Sequence, residues 1–363
     1  MKVVMLAGGI ANELRPLTEK RPSTLLPILN VPILKGLIEA LPEETDEVFI
    51  AAGFGGKSIE EFIDENNFSL PIHVHTEKKP LGTAGAIKSF EEHLEETFLV
   101  VNADMVTTMR ISPMIDFHKA HGGEITCALH EHPAPFNFGI FGLDEDDKVV
   151  RYLEKPKPDQ VFSTLVNAGI YLFTPKVLEF IPRRSFAALP ELFTRLIRRK
   201  TISVYGYPFK EYWAEIGTPK KYLKAHVELL NRSMEFDVSK AEIVFKRARL
   251  IPPMIVGKNS RIEEAIVGPD VTIGADCKIA SNAKLQRSVL MDRVEIGENA
   301  MVRNSIIGED VKIEKNCLVE GAILGDGCII RKGVKVANGG RVWPGRKVRY
   351  QDVHEGELYG GEL

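Results

Sequence analysis

In the last third of this 363-residue chain one spacing dominates. Val256, Ile273, Leu290, Ile307 and Leu324 follow one another at intervals of 17 residues. Between them, further Val, Ile and Leu residues return every five or six positions as far as Val336. The phrases Ser288-Val289-Leu290-Met291, Ser305-Ile306-Ile307-Gly308 and Ala322-Ile323-Leu324-Gly325 repeat at the same step. An ordinary β-sandwich gives no reason for a fixed step through five positions. Three short strands per coil, turning at small or polar residues, predict a left-handed parallel β-helix of hexapeptide repeats. Each coil buries its aliphatic residue only by stacking on the next, so the array forms one continuous core.

Residues 1–232 follow a different rule. Short apolar runs alternate with amphipathic stretches: strands at Lys2–Leu6, Glu47–Ala52, Ile72–His75 and Phe98–Val101, helices at Ile33–Leu41, Ser58–Asp64, Thr83–Leu94 and Ser112–His121. This alternation predicts an α/β, Rossmann-like domain with a mostly parallel mixed sheet. Ligands of such sheets sit at the carboxyl ends of strands, which points to Leu6–Gly9 and Asn102–Asp104. The expected division is an α/β domain at 1–232, a linker at 233–250, the β-helix at 251–345 and a tail at 346–363.

A net charge of −3 is too small to imply a nucleic-acid or membrane partner. No run approaches the roughly 18 apolar residues of a membrane span, and the apolar start Met1–Ala7 is too short for a signal peptide. The cytoplasm is the expected location. Cys127, Cys277, Cys317 and Cys328 have no metal-ligand spacing and no close pair, so they read as buried, reduced thiols.

The chemistry is carried by short segments in a fixed order. Leu6-Ala7-Gly8-Gly9 ends the first strand, and glycines there let backbone N–H groups approach a phosphate or a base. Leu14-Arg15-Pro16-Leu17-Thr18 and Leu25-Leu26-Pro27-Ile28 come next, then Pro80-Leu81-Gly82-Thr83-Ala84-Gly85-Ala86 at a helix start and Val101-Asn102-Ala103-Asp104 at a strand end. Glu154-Lys155-Pro156, Asn167-Ala168-Gly169-Ile170-Tyr171 and Tyr212-Trp213-Ala214-Glu215-Ile216-Gly217-Thr218-Pro219 complete the series. In this order they resemble the sugar-1-phosphate nucleotidyltransferase (NDP-sugar pyrophosphorylase) family across almost the whole chain. The β-helix and Val342-Trp343-Pro344 are most similar to its mannose-1-phosphate guanylyltransferase members.

The resemblance implies that a sugar-1-phosphate oxygen attacks the α-phosphorus of a nucleoside triphosphate, giving an NDP-sugar and pyrophosphate, with GTP and GDP-mannose favoured. It implies Mg²⁺ held by two carboxylates, Asp104 and Glu215, the second standing where the family usually has Asp. Lys155 takes the place of the lysine on the sugar phosphate, and Asp104, Lys155 and Glu215 form the catalytic set. Leu6, Ala7, Gly8, Gly9, Arg15, Pro80, Gly82 and Gly85 are the implied nucleotide contacts. Gly139, Glu154, Lys155, Asn167 and Gly169 are the implied sugar contacts.

One loop departs from the pattern. The family continues after its glycines with Gly-Thr-Arg-Leu and then Pro-Lys-Pro. Here the residues are Ala11-Asn12-Glu13-Leu14 and Pro22-Ser23-Thr24. Glu13 replaces the arginine that binds the triphosphate, and Ser23 replaces the lysine. From Gly8 to Thr24 the charges are Glu13, Arg15, Glu19, Lys20 and Arg21, a net of +1, where the family residues at those two positions give +4. A cation on a transferring phosphoryl group is worth about 10³–10⁵ in rate. Lys20, Arg21, the pair Lys78-Lys79 or a partner subunit are the candidates to replace the lost cations.

Two readings therefore stand side by side. One is an active enzyme with unusual phosphate ligands. The other is a catalytically silent relative that binds a nucleotide or NDP-sugar and regulates an active paralogue as a hetero-oligomer. A homo-oligomer suits either. An acyltransferase, another use of a β-helix, usually needs a histidine base there. Val256–Val336 contains no histidine, and His354 lies beyond it.

Overall fold

Lys2–Ala7 (β1) is the central strand of a nine-stranded mixed sheet. Val3, Val4 and Met5 are fully buried, as expected for a strand covered on both faces. Glu47–Ala52 (β2) pairs parallel to one side of β1, and Ile72–Thr76 (β3) pairs parallel to β2. Phe98–Asn102 (β4) pairs parallel to the other side of β1. The chain thus steps outward in opposite directions from β1, and the carboxyl ends of β1 and β4 meet at this reversal, with Leu6 opposite Asn102. The computed structural model describes residues 1–233, 244–337 and 339–349. Residues 234–243 of the expected linker and the tail from 350 onward, with His354, lie outside them.

The crossovers are helices: α1 (Ile33–Glu39), α2 (Gly56–Glu65), α3 (Gly82–Lys88) and α4 (Ser112–His121). The helix expected over Thr83–Leu94 stops at Lys88 and resumes as a 3₁₀ turn at Glu91–His93. Ser89 Oγ donates to Ala86 O at 2.6 Å, a local bond that competes with the helical ladder. After β4 the chain forms β5 (Met105–Thr107), β6 (Ile125–Glu131), β7 (Gly139–Leu143), β8 (Val149–Glu154), β9 (Leu165–Phe173), α5 (Leu189–Arg199), β10 (Val204–Phe209) and β11 (Trp213–Glu215). The sheet runs β8-β7-β9-β4-β1-β2-β3, with β6 joining β9 to β10. β9 is antiparallel to β4, so the second half of the sheet is largely antiparallel.

By their contacts the described residues form two compact units. The first is Met1–Ile10 with Leu34–Glu215; the second is Ala11–Ile33 with the residues from Ile216 on. The second unit therefore includes residues 11–33 and helix α6 (Pro219–Ser233), which a cut at 232 assigns to the N-terminal domain.

Within the second unit three parallel sheets of seven, six and six strands form the left-handed β-helix. Val256, Ile273, Leu290, Ile307 and Leu324 stack in register in one sheet. The next partner is Val342, 18 residues on, so the last coil carries one extra residue between Val336 and Val342. Corner residues Asn259, Asp276, Arg293, Asp310 and Gly327 all have positive φ, which explains the preference for Asn, Asp and Gly there. Cys277, Cys317 and Cys328 are buried, unpaired members of this core. Burial pushes the Cys277 thiol up to about 12, so it stays protonated and inert.

The sheet holding Leu290 is buried on its outer face as well. Thr272, Val289, Ile306 and Ile323 point outward and are at most 8% exposed. Helix α6 packs across it and residues 11–33 are tied to it. Asn30 Nδ2 donates to Ile273 O at 2.7 Å, and Arg341 donates to Arg15 O at 2.5 Å. His226 of α6 is fully buried, and desolvation lowers its pKa to about 3. Its neutral ring donates from Nε2 to Pro27 O (3.1 Å) and accepts at Nδ1 from the Thr272 hydroxyl (3.2 Å). Tyr222 OH also donates to Pro27 O.

Candidate active site

Two cavities open at the carboxyl ends of β1 and β4 in the first unit. One, of about 220 Å³, is lined by Asp104, Gly139, Glu154, Lys155, Asn167, Gly169 and Glu215, with Phe138 and Trp213 as aromatic walls. The other, of about 280 Å³, is lined by Leu6, Gly8, Gly9, Glu77, Pro80 and Gly82. Thr83, Asn102 and Asp104 belong to both linings, so the cavities meet at these three residues. The implied sugar contacts thus all line one cavity, and Leu6, Gly8, Gly9, Pro80 and Gly82 of the implied nucleotide contacts line the other.

Asp104 follows β4 at the reversal point. The next residues form β5, which pairs antiparallel with β11 so that Glu215 lies opposite Met105. The ladder brings two carboxylates, 111 positions apart in the chain, to adjacent places on one cavity wall. Between Asn167 and Tyr171 the register of β9 against β6 shifts, and this bulge turns Asn167 and Gly169 into the cavity. Trp213 Nε1 donates to Ala168 O at 2.9 Å, pinning the bulge. Gly169 has φ +76°, and a Cβ there would lie 2.8 Å from Asn102 Nδ2. Gly169→Ala is therefore expected to lose about 1–3 kcal/mol of stability from the backbone alone, read by urea unfolding. The same variant displaces Asn102, so ligand affinity in both cavities falls with it.

Glu154 is held by a neighbouring phenol. Tyr152, 8% exposed, donates its hydroxyl to Glu154 Oε2 at 2.5 Å. Burial first, and the Glu154 charge second, push the Tyr152 pKa far upward, so the phenol remains a donor. Gly139 leaves the space: a Cβ there would sit 2.6 Å from both Glu154 Oε2 and Tyr152 OH. Lys155 holds a left-handed backbone, φ 43°, with its N–H bonded to Phe138 O at 3.0 Å. A non-glycine residue there is uncommon and costs energy, and its exposed side chain lies on the cavity wall.

In the second cavity, Gly82 (φ +71°) starts α3, where a Cβ would lie 2.6 Å from Ala187 O. The N–H groups of Ala84 and Gly85 donate to that same carbonyl at 2.9 and 3.0 Å. They are spent on the fold rather than pointed at a ligand. Gly85 and Ala7 are not among the residues lining this cavity. Glu77 was not anticipated. Its Oε2 accepts the Leu81 N–H at 3.1 Å, while its Oε1 is buried without a hydrogen-bond partner. Asn102 Oδ1, at the junction, is likewise buried and unpartnered. Buried polar atoms of this kind are rare and are met by bound ligand or water.

The departing loop belongs to the second unit. Glu13 is exposed in a 3₁₀ turn, and Ser23 is only 4% exposed. Arg15 pairs with Glu19 at 3.3 Å. Arg21, one of the expected substitute cations, is taken up by the β-helix: one guanidinium nitrogen donates to Glu309 at 2.5 Å and another to Asp326 at 2.7 Å. With its side chain 18% exposed and both terminal nitrogens engaged, Arg21 is a clamp between loop and coils. Lys20, Lys78 and Lys79 are exposed, and the last two lead directly into Pro80 of the second cavity.

Residues 2–232 match the nucleotidyl transferase family, and residues 250–357 match the GMPPB C-terminal domain. The chain is 30% identical over 303 residues to a probable mannose-1-phosphate guanylyltransferase 1 of Oryza sativa subsp. japonica, covering 80% of this chain and 81% of that protein. It is 30% identical over 299 residues to a mannose-1-phosphate guanylyltransferase of Mycobacterium tuberculosis, covering 76% and 82%. Among solved structures, a putative glucose-1-phosphate thymidylyltransferase of Bacillus anthracis superposes with a TM-score of 0.57 at 20% identity, over 67% of this chain and 98% of that one. Among the described residues no helix is long and apolar enough to cross a membrane.

Proposed function

The chain belongs to the nucleotidyl transferase family, and on that premise we propose that it joins the nucleotidyl group of GTP to a sugar 1-phosphate of the mannose 1-phosphate type, releasing pyrophosphate. The observation that carries this reading is the meeting of two cavities at Asp104. A base and ribose in one cavity and a sugar in the other leave the α-phosphorus between them. The sugar phosphate oxygen attacks there and pyrophosphate departs. Such chemistry is mainly positioning and charge neutralisation. Glu154 orients the sugar hydroxyls, and Lys155 offsets the charge of the sugar phosphate.

Asp104 and Glu215 suit Mg²⁺. They are hard oxygen donors, Glu215 at the end of the ladder opposite Met105 and Asp104 immediately before it, and Mg²⁺ commonly takes one or two carboxylates with substrate phosphates and water filling the rest. Among the described residues no group of three or more His, Cys, Asp or Glu gathers to hold a metal unaided. When bound, the ion would neutralise phosphate charge as it builds up.

The preference for guanine rests on Glu77. Guanine offers two adjacent donors, N1–H and N2–H₂, to a carboxylate. Uracil and thymine offer one donor flanked by two carbonyl oxygens, which a carboxylate repels. The unpartnered Oε1 of Glu77 needs such a donor. Glu77→Gln is expected to weaken GTP binding about 10- to 100-fold, from the loss of a charged hydrogen bond, and to improve UTP binding. Calorimetric titration of both nucleotides against both proteins checks this, and unchanged GTP affinity removes Glu77 from base recognition.

A second reading is supported by Glu13, Ser23 and the engagement of Arg21. In it the protein binds GDP-sugar without turning over and acts on an active paralogue. The deciding assay is pyrophosphate release with Mg²⁺ across the common nucleotides and sugar 1-phosphates. Highest turnover with GTP and mannose 1-phosphate supports the enzyme. GDP-mannose binding with no turnover of any pair overturns it in favour of the silent binder.

A further inference from the structure

Phe186 is 63% exposed, the highest value among the large apolar side chains of the described residues. Single exposed apolar residues are ordinary on a protein surface. This one is unusual in how firmly the backbone after it is held and in where it lies. The next residue, Ala187, donates to Leu81 O at 2.8 Å and accepts from Ala84 and Gly85. Leu189 N–H donates to Thr83 Oγ1 at 2.8 Å. Four hydrogen bonds thus staple the segment carrying Phe186 to the first turn of α3. The ring rests over Gly82, whose missing Cβ would lie 3.1 Å from Phe186 Cε2. Both residues line the same cavity as Glu77.

We infer that Phe186 is the stacking wall for a purine base and sets the ring-size preference of the site. The inference rests on the reading of that cavity as the nucleotide pocket. An aromatic ring at the pocket edge is covered when a base enters, and the staple fixes the backbone that carries it before binding, so less ordering is needed on association. A two-ring base covers more of it than a one-ring base. Phe186 and Glu77 therefore act on different properties: the ring reads size and the carboxylate reads the hydrogen-bonding edge. Stacking involves no net charge, so its contribution is insensitive to salt, unlike contacts to the phosphates.

The test is calorimetric titration of GTP, ATP and UTP into the full chain and into Phe186→Ala and Phe186→Trp, at low and high salt. Base–aromatic stacking predicts a loss of about 5- to 100-fold for GTP and ATP in Phe186→Ala, with a smaller loss for UTP. Phe186→Trp keeps or improves purine affinity, and the loss in Phe186→Ala is the same at both salt concentrations. If Phe186→Ala binds GTP as the wild type does, the stacking role is wrong while the nucleotide pocket stands. Equal losses for GTP and UTP overturn the ring-size preference. If the wild type binds no nucleotide, the reading of the cavity fails and the inference goes with it.

Discussion

Replacing Glu13 by arginine is expected to raise the rate of pyrophosphate release from GTP and mannose 1-phosphate by about 10²–10³-fold, the worth of one group placed to stabilise phosphoryl charge. By the family resemblance Glu13 stands where an arginine meets the triphosphate, and on that reading the change is worth two charges, a repelling carboxylate lost and a guanidinium gained. Glu13 is exposed, so the substitution costs the fold little. Ser23 is a poorer choice, because at 4% exposure a lysine there must displace its surroundings. Glu13→Gln separates the two effects: it removes the repulsion alone and should yield only a small part of the gain. High salt should shrink the remainder. A wild type that already turns over well, with no gain in Glu13→Arg, means that Lys20, Lys78, Lys79 or a partner subunit supplies the missing cation. The same lysines then become the residues to replace.

The parts of this protein that could be read from sequence are those governed by short-range rules. The 17-residue step of Val256, Ile273, Leu290, Ile307 and Leu324 became the stacked register of one sheet. It became legible because every coil repeats the same burial problem. The step of 18 to Val342 lies where the repeated phrases stop, and nothing in the period announces it. Asp104 and Glu215 were legible as motif members, yet only the β5–β11 ladder makes them neighbours.

Arg21 failed as a candidate phosphate ligand for a physical reason. Its partners Glu309 and Asp326 lie 288 and 305 positions away, and one positive charge among Lys20, Arg21 and Arg15 looks no different from the others in sequence. Glu77 and Phe186 were missed for a similar reason. Their importance lies in an unpartnered oxygen and an uncovered ring, which are properties of surroundings rather than of residue type. At the early end of α3 the Ser89 hydroxyl occupies the Ala86 carbonyl, a local bond of a residue neutral enough in a helix to leave no sign in the apolar pattern.

If Asp104 holds Mg²⁺ as proposed, Asp104→Asn is expected to abolish most of whatever turnover the protein has, by about 10³-fold or more, because it removes a ligand of the ion that would offset phosphate charge. The substitution keeps the size and shape of the side chain while removing its charge and turning one acceptor oxygen into an NH₂ donor, so packing volume around β4 is preserved. Nucleotide affinity measured without Mg²⁺ should hold or rise, since a carboxylate near the phosphates has been neutralised. The stabilisation that Mg²⁺ and GTP together give against thermal unfolding should fall, which supplies a readout even if the natural protein turns over slowly. Glu215→Asp is the matching test on the other carboxylate. It restores the residue usual in the family and shortens the side chain by one methylene, so the rate should be kept or improved. Combining Asp104→Asn with Glu13→Arg then shows whether the two groups serve one reaction. If they do, the gain from arginine disappears when the metal carboxylate is gone. An arginine gain that survives in Asp104→Asn would falsify the role given to Asp104 and move the metal, and with it the reaction centre, away from the junction of the two cavities.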